Sequence, residues 1–270
     1  MLESIVFGII QGIFEWLPIS SQGNLVLLMI GVFNYSVQKA LHLSIFLHIG
    51  TFFAVLIYFR KDIQKLTLAL KNYKADFETE ENKILSFLFI STIITGLIGY
   101  PLFKLLMVSS FTGEIFIALV GVALIFTGLF QKIAPQKELK TKKNLSLKDS
   151  LLLGIAQGFS IIPGLSRSGI TIAALLFRGY KSKEALRLSF LMSIPVVLAA
   201  EIGLGIIRGL PEINIFQGIV GLFFAFLFGF LTIHFLIKLA TKIRFWLFCV
   251  VIGAIALLPL IFYLLGTSIY

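Results

Sequence analysis

The sequence contains one cysteine, Cys249, in 270 residues. That excludes an internal disulfide and any thiolate metal cluster. Charge is also scarce: 13% of residues are Asp, Glu, Lys or Arg, against 58% hydrophobic, too few to clothe a soluble domain. No basic segment precedes the first apolar stretch, and Glu3 sits at its start, so no cleavable leader is expected. His42, His48 and His234 lack metal-ligand spacing and read as packing or interfacial histidines. What is present is apolar, with a mean hydropathy of +1.01 concentrated in runs of membrane length. The composition indicates an all-α polytopic membrane protein. The 28 phenylalanines read as bulk surface facing lipid. A net charge of +10 could suit nucleic acid, but its distribution serves topology, so no nucleic-acid partner is expected.

The first apolar stretch, 3–17, is about 22 Å long as a helix, short of a hydrocarbon core about 30 Å thick. It ends at Pro18-Ile19-Ser20-Ser21-Gln22-Gly23-Asn24, and a second short helix, 25–33, follows. Two half-length helices around a polar loop read as a re-entrant hairpin. Full spans are expected at 42–59, 84–107 and 112–131, with a polar loop at 60–83. A second short pair surrounds Arg167, and three more spans follow at 185–207, 214–238 and 245–265. The halves repeat: residues 3–12 match 149–158, Gln11 meeting Gln157 and Gly12 meeting Gly158 at an offset of 146 residues. Leu43-Ser44 likewise meets Leu188-Ser189. Gly8/Gly12 and Gly154/Gly158 have the GxxxG spacing of close helix contact. The expected organisation is a first repeat, 1–131, with its hairpin at 1–33; a basic cytoplasmic linker, 132–147; and a second repeat, 148–270, with its hairpin at 148–178. That gives six transmembrane helices plus two re-entrant hairpins.

Three crossings per repeat make the repeats inverted in topology, an arrangement that places sites at the repeat interface. Of the 23 Lys and Arg, Lys39, Lys104 and Arg208 fall on one side, Arg167 falls within the apolar region, and the rest fall on the other side. The basic side is cytoplasmic. Both termini and the site then face outside a plasma membrane, and the two hairpin tips meet within it.

The second tip is Pro163-Gly164-Leu165-Ser166-Arg167-Ser168-Gly169. A charge at membrane depth is a functional-site hypothesis by default, and a broken helix there needs protein or a water-filled cavity around it. Arg167 offers a rigid fork for phosphate oxygens; Ser166, Ser168 and the N–H groups of the following helix add donors. In the first tip Gln11 and Glu15, four apart, share a helix face that points at Ser20, Ser21 and Asn24. Ionised Glu15 needs a cation, either Arg167 or a metal. Gln11 and Glu15 are hard oxygen ligands, suited to Mg²⁺ or Ca²⁺. Glu201, mid-span, either pairs with a neighbour or is protonated; catalysis is its lesser reading.

Gln11-x-x-x-Glu15, Pro18-x-Ser20-Ser21-x-Gly23 and residues 163–171, ending Ile170-Thr171, resemble the undecaprenyl-diphosphate phosphatase family of the bacitracin-resistance type. His48-Ile49-Gly50-Thr51 to Tyr58-Phe59-Arg60 resembles that family's third segment. The resemblance spans nearly the whole chain. It implies hydrolysis of a polyprenyl diphosphate to the monophosphate, which recycles the lipid carrier of cell-wall glycans. It further implies catalytic roles for Glu15, Ser21 and Arg167, and substrate binding by Gln11, Ser20, Asn24, Ser166, Ser168 and Thr171. Ser21 is the candidate nucleophile, or it positions an attacking water. Asn24 departs from the family, which usually has His there; it is expected to donate to a phosphate oxygen. The prenyl tail is expected along the Phe-rich outer surface. The bilayer and the lipid are the expected partners, with a homodimer left open. A transporter of polyprenyl phosphate, using the same phosphate-binding residues, is the alternative.

Overall fold

A computed structural model of the chain describes residues 1–108, 113–134, 140–208, 214–239 and 245–264. Residues 135–139 of the expected linker, and residue 265 at the end of the last expected span, lie outside them. Two short helices open the chain, α1 (Leu2–Phe14) and α2 (Ser21–Gly31). Then come α3 (Val37–Tyr58), α4 (Arg60–Ala69), α5 (Glu80–Val108) and α6 (Gly113–Ile133). The second half begins with another short pair, α7 (Leu147–Phe159) and α8 (Arg167–Phe177). It continues with α9 (Ser182–Arg208), α10 (Ile215–Leu239), α11 (Phe245–Ile255) and α12 (Leu258–Leu264).

Among the described residues, α3, α5, α6, α9 and α10 are long and apolar enough to cross a membrane. The sixth expected span, 245–265, differs: it is broken into α11 and α12 by a turn at Ala256 and Leu257. Pro259, at the second position of α12, has no N–H to continue the ladder. The expected polar loop 60–83 also differs, because it contains α4. Ile63 and Leu66, three residues apart, pack one face of α4 onto two of the apolar clusters, which is enough to hold a short helix that charge alone would leave solvated.

The short helices pack across the two halves. α1 lies against α10 and α7 against α5. A Cβ on Gly12 would come within 2.8 Å of Ala225 O and Gly229 N on α10, and one on Gly158 within 2.7 Å of Ile98 Cβ on α5. The GxxxG pairs therefore set backbone approach in both places. Gly12→Ala is expected to cost about 1–3 kcal/mol by overpacking, read as a lower melting temperature in detergent. Gly31→Ala, whose Cβ would meet nothing within 4 Å, should leave melting unchanged.

Both hairpin tips use the same local chemistry. Ser20 caps α2, its Oγ accepting from Gly23 N at 3.2 Å; Ser166 caps α8, its Oγ accepting from Gly169 N at 3.0 Å. Ser20 has φ +62°, a left-handed conformation that costs a non-glycine residue of order 1 kcal/mol or more. At Gly164 the φ of +99° is one that only glycine adopts readily. The tips touch at these turns: a Cβ on Gly23 would lie 2.8 Å from Gly164 Cα.

Candidate active site at the hairpin tips

Glu15 ends α1 and is 5% exposed. Four side chains converge on it. Gln11 Nε2 donates to its Oε2 at 3.0 Å, and Ser21 Oγ donates to the same oxygen at 2.6 Å. His48 Nε2 lies 3.2 Å from Oε2, and Arg167 Nη2 donates to Oε1 at 2.5 Å. The ion pair joins the first tip to the second, as one of the two sequence readings of Glu15 required.

Arg167 is fixed on two sides. Besides Glu15, its guanidinium carbon lies 5.9 Å from the centroid of the Trp16 ring, a cation–π arrangement. Trp16 is itself held edge-on by Phe190. Nη1 is buried and has no hydrogen-bond partner among the described residues. A buried guanidinium nitrogen without an acceptor is costly, and an incoming phosphate oxygen would satisfy it.

The serines and threonine of the second tip hold the loops. Ser168 Oγ donates to Leu17 O at 3.0 Å and lies 3.2 Å from Ser166 Oγ. Thr171 Oγ1 donates to Arg167 O at 2.7 Å and pairs with Ser189 Oγ on α9 at 2.7 Å. Thr127 on α6 donates to Gly164 O and accepts from Ser166 N, while Gln131 reaches across to Pro18 O. Asn24 behaves unlike its expectation: its amide nitrogen donates to Ile19 O at 2.7 Å and Ser20 O at 2.9 Å. Both of its donor hydrogens brace the first tip, so none remains for a phosphate.

His48 corrects the sequence reading, which set it aside as a packing residue. Its Nδ1 faces Ser44 O at 2.8 Å while Nε2 faces Glu15. Its segment carries part of the likeness to the family, but nothing in spacing alone ties it to Glu15. Trp16, Thr127 and Gln131 carried no sequence signal toward the site.

A cleft of about 280 Å³ opens beside Arg167 and His48. Its polar lining includes Gln22, Gln157, Ser160 and Glu201; α5 contributes Gly96, Gly99 and Phe103, and α9 contributes Val196, Ala200 and Gly203. Glu15 stands behind Arg167 and His48, which contact it and also line the cleft, and Ser21 is joined to them through Glu15.

The donors around Glu15 test the expected metal pair, Gln11 and Glu15. Glu15 accepts through both oxygens, and two of its neighbours are Arg167 and His48. Gln11 turns its NH₂ toward Glu15 and leaves Oε1 buried. A divalent ion on Glu15 would sit against a guanidinium, and like charges at such range repel strongly in a low-dielectric site. The Gln11–Glu15 pair does not fit a cation.

Fold and site together define a polytopic membrane protein in which two helical hairpins meet at a buried Glu15–Arg167 pair. Residues 4–258 match the family described as Bacitracin resistance protein BacA, and the chain belongs to that family. Among its relatives is a protein named undecaprenyl-diphosphatase from Methanococcoides burtonii, 44% identical over 263 residues, spanning 96% of this chain and 97% of that one. Relatives with the same name come from Methanothrix thermoacetophila, 40% identical, with 95% of each chain covered, and from Haloarcula marismortui, 36% identical, with 94% of this chain and 95% of that one covered.

Proposed function

We propose that the protein hydrolyses undecaprenyl diphosphate, or a related polyprenyl diphosphate, to the monophosphate and inorganic phosphate, and so recycles the lipid carrier for glycan synthesis. The observation that carries this is Arg167: it is paired to Glu15, backed by Trp16 and left with an unpartnered Nη1 beside an apolar cleft. Family membership and the names of the relatives agree with it. None of those names favours the transporter. Purified protein incubated with undecaprenyl diphosphate should yield a lipid that chromatographs as the monophosphate; recovery of only the starting lipid from folded protein would sink the proposal.

The chemistry is positioning and charge stabilisation of a transferring phosphoryl group. Arg167 Nη1 takes an oxygen of the diphosphate. Glu15 Oε2, 2.6 Å from Ser21 Oγ, receives the proton of the nucleophile, which is Ser21 itself or a water that Ser21 orients. The nucleophile bonds to the terminal phosphorus as the bond from that phosphorus to the bridging oxygen breaks, and the prenyl monophosphate leaves; where Ser21 attacks, a water then hydrolyses the phosphoserine, frees inorganic phosphate and restores the hydroxyl. Gln11 keeps Glu15 aimed, and Ser20, Asn24, Ser166, Ser168 and Thr171 hold the tips together. The first part of the prenyl tail lies between α5 and α9; the cleft wall there is a better match than the outer surface expected from the phenylalanines.

The two halves are, in this reading, inverted repeats, supported by the reciprocal packing of α1 on α10 and α7 on α5. The site faces outside. Support comes from the basic residues clustered at the opposite end, and from the cleft using the later turns of both α5 and α9, far from Lys83 and Lys183 in their first turns. Cys249 is buried and should be silent to impermeant thiol reagents. A cysteine at exposed Asn34 should then react in intact cells, and one at Lys71 should not; the reverse pattern inverts the topology.

A further inference from the structure

We infer that His48 is the general acid of the reaction: its Nε2–H protonates the bridging oxygen as the prenyl monophosphate leaves, and Glu15 then returns a proton to it. This rests on the diphosphatase reading and deepens it, because that reading gives the nucleophile's proton a destination and leaves the departing oxygen without a donor. His48, on α3, both touches Glu15 and lines the cleft. Its side chain is 18% exposed, against 5% for Glu15, so the imidazole reaches the cleft where the carboxylate does not. Arg167 shares that position, but a guanidinium does not give up its proton in a protein.

The neighbours of the ring fix its hydrogens. Nδ1 lies 2.8 Å from Ser44 O, and Nε2 lies 3.2 Å from Glu15 Oε2. A backbone carbonyl only accepts, and so does a carboxylate that already takes hydrogen bonds from Gln11, Ser21 and Arg167. Each ring nitrogen therefore carries a hydrogen, and His48 is an imidazolium with a proton to give. Arg167 on α8 and Glu201 on α9 also bear on it, and Tyr100 on α5 lines the same cleft. His234 of α10 faces Tyr58, at the last residue of α3. A contact of 3.2 Å is longer than the about 2.7–2.9 Å usual for a charged pair, so the N–H is free to turn to a phosphate oxygen. Glu15 Oε2 is the shared atom, 2.6 Å from Ser21 Oγ and 3.2 Å from His48 Nε2. When it takes the nucleophile's proton it loses its charge, and its hold on His48 weakens as negative charge gathers on the bridging oxygen. One proton goes from the nucleophile to Glu15, one from His48 to the bridging oxygen, and one from Glu15 back to His48. The electron pair of the broken P–O bond stays on the bridging oxygen, and the sum moves the nucleophile's proton onto the prenyl monophosphate.

The test compares two substrates with full-length purified protein. One is undecaprenyl diphosphate; the other has sulfur in place of the bridging oxygen, and its thiophosphate departs without needing a proton. His48→Gln keeps an amide N–H for Glu15 but has no proton to transfer. It should lower turnover of the oxygen-bridged lipid by at least about 10²-fold, in kcat rather than KM, and leave the sulfur-bridged lipid within about threefold of wild type. Glu201→Gln should affect both substrates alike. Equal losses on both by a folded His48→Gln protein overturn the inference. So does the selective loss appearing in Glu201→Gln instead, which would make Glu201 the acid. Should His48→Gln not fold, the wild type is read in heavy water. Its rate should fall more on the oxygen-bridged lipid, where the leaving group also takes a proton, and equal falls overturn the inference as well. A folded wild type that turns over neither substrate strikes the diphosphatase reading, and this inference with it.

Discussion

Arg167→Lys should lower hydrolysis of undecaprenyl diphosphate by about 10²–10³-fold, the usual cost of removing one donor aimed at developing charge. Lysine keeps the positive charge and can keep an ion pair with Glu15. It cannot use one nitrogen on Glu15 while presenting a second, fixed nitrogen to phosphate. In the structure Nη2 holds Glu15 and Nη1 of the same planar group is buried without a partner, the ring of Trp16 lies against the guanidinium, and the proposed mechanism gives Nη1 the phosphate. A point charge on a flexible stem does one or the other. The melting temperature should move little, because the charge balance with Glu15 survives. Near-normal turnover by a folded Arg167→Lys protein would remove the fork from the mechanism.

Glu15→Gln should be worse, because it damages both stability and chemistry. Glu15 is the one acid among the four donors that surround it. Its neutral analogue leaves Arg167 and His48 adjacent without a counter-charge. Breaking a buried pair from one side typically costs about 3–5 kcal/mol, and the loss of a general base about 10²–10⁴-fold in rate. A detergent-purified variant should melt lower and show background turnover. If Glu15→Gln melts normally and works normally, Glu15 is neither the anchor of Arg167 nor the base.

The plan of helices was legible because membrane cost writes it into composition. Runs of apolar residues show the spans, and small polar residues with Pro and Gly show the breaks. The match of Gln11 with Gln157 announced that the two tips are related. Chemistry required a cation for Glu15 and offered two, Arg167 or a metal; the structure pairs it with Arg167. His48 was not legible. It enters the site from α3, a helix that reads as an ordinary span, and only tertiary packing brings it to Glu15. Asn24 misled for the opposite reason: its position beside Ser20 and Ser21 suggested a ligand, while its amide is needed to hold a turn in which Ser20 has positive φ. The metal assignment meets the same difficulty of context. Two oxygen-bearing side chains four apart are good ligands in isolation, but the structure brings His48 and Arg167, distant in sequence, onto Glu15 beside Gln11 and Ser21. The break between α11 and α12 was present as Pro259, whose weight against a long apolar run was underrated.

The most direct measurement is the inorganic phosphate released per molecule of undecaprenyl diphosphate consumed by purified full-length protein, with Arg167→Lys measured beside it. The expected result is one phosphate per lipid from the wild type and about 10²–10³-fold slower release from the variant, at similar melting temperatures. No phosphate from folded wild-type protein, or equal release by both, would contradict a diphosphatase built on Arg167 at the meeting of the two hairpins.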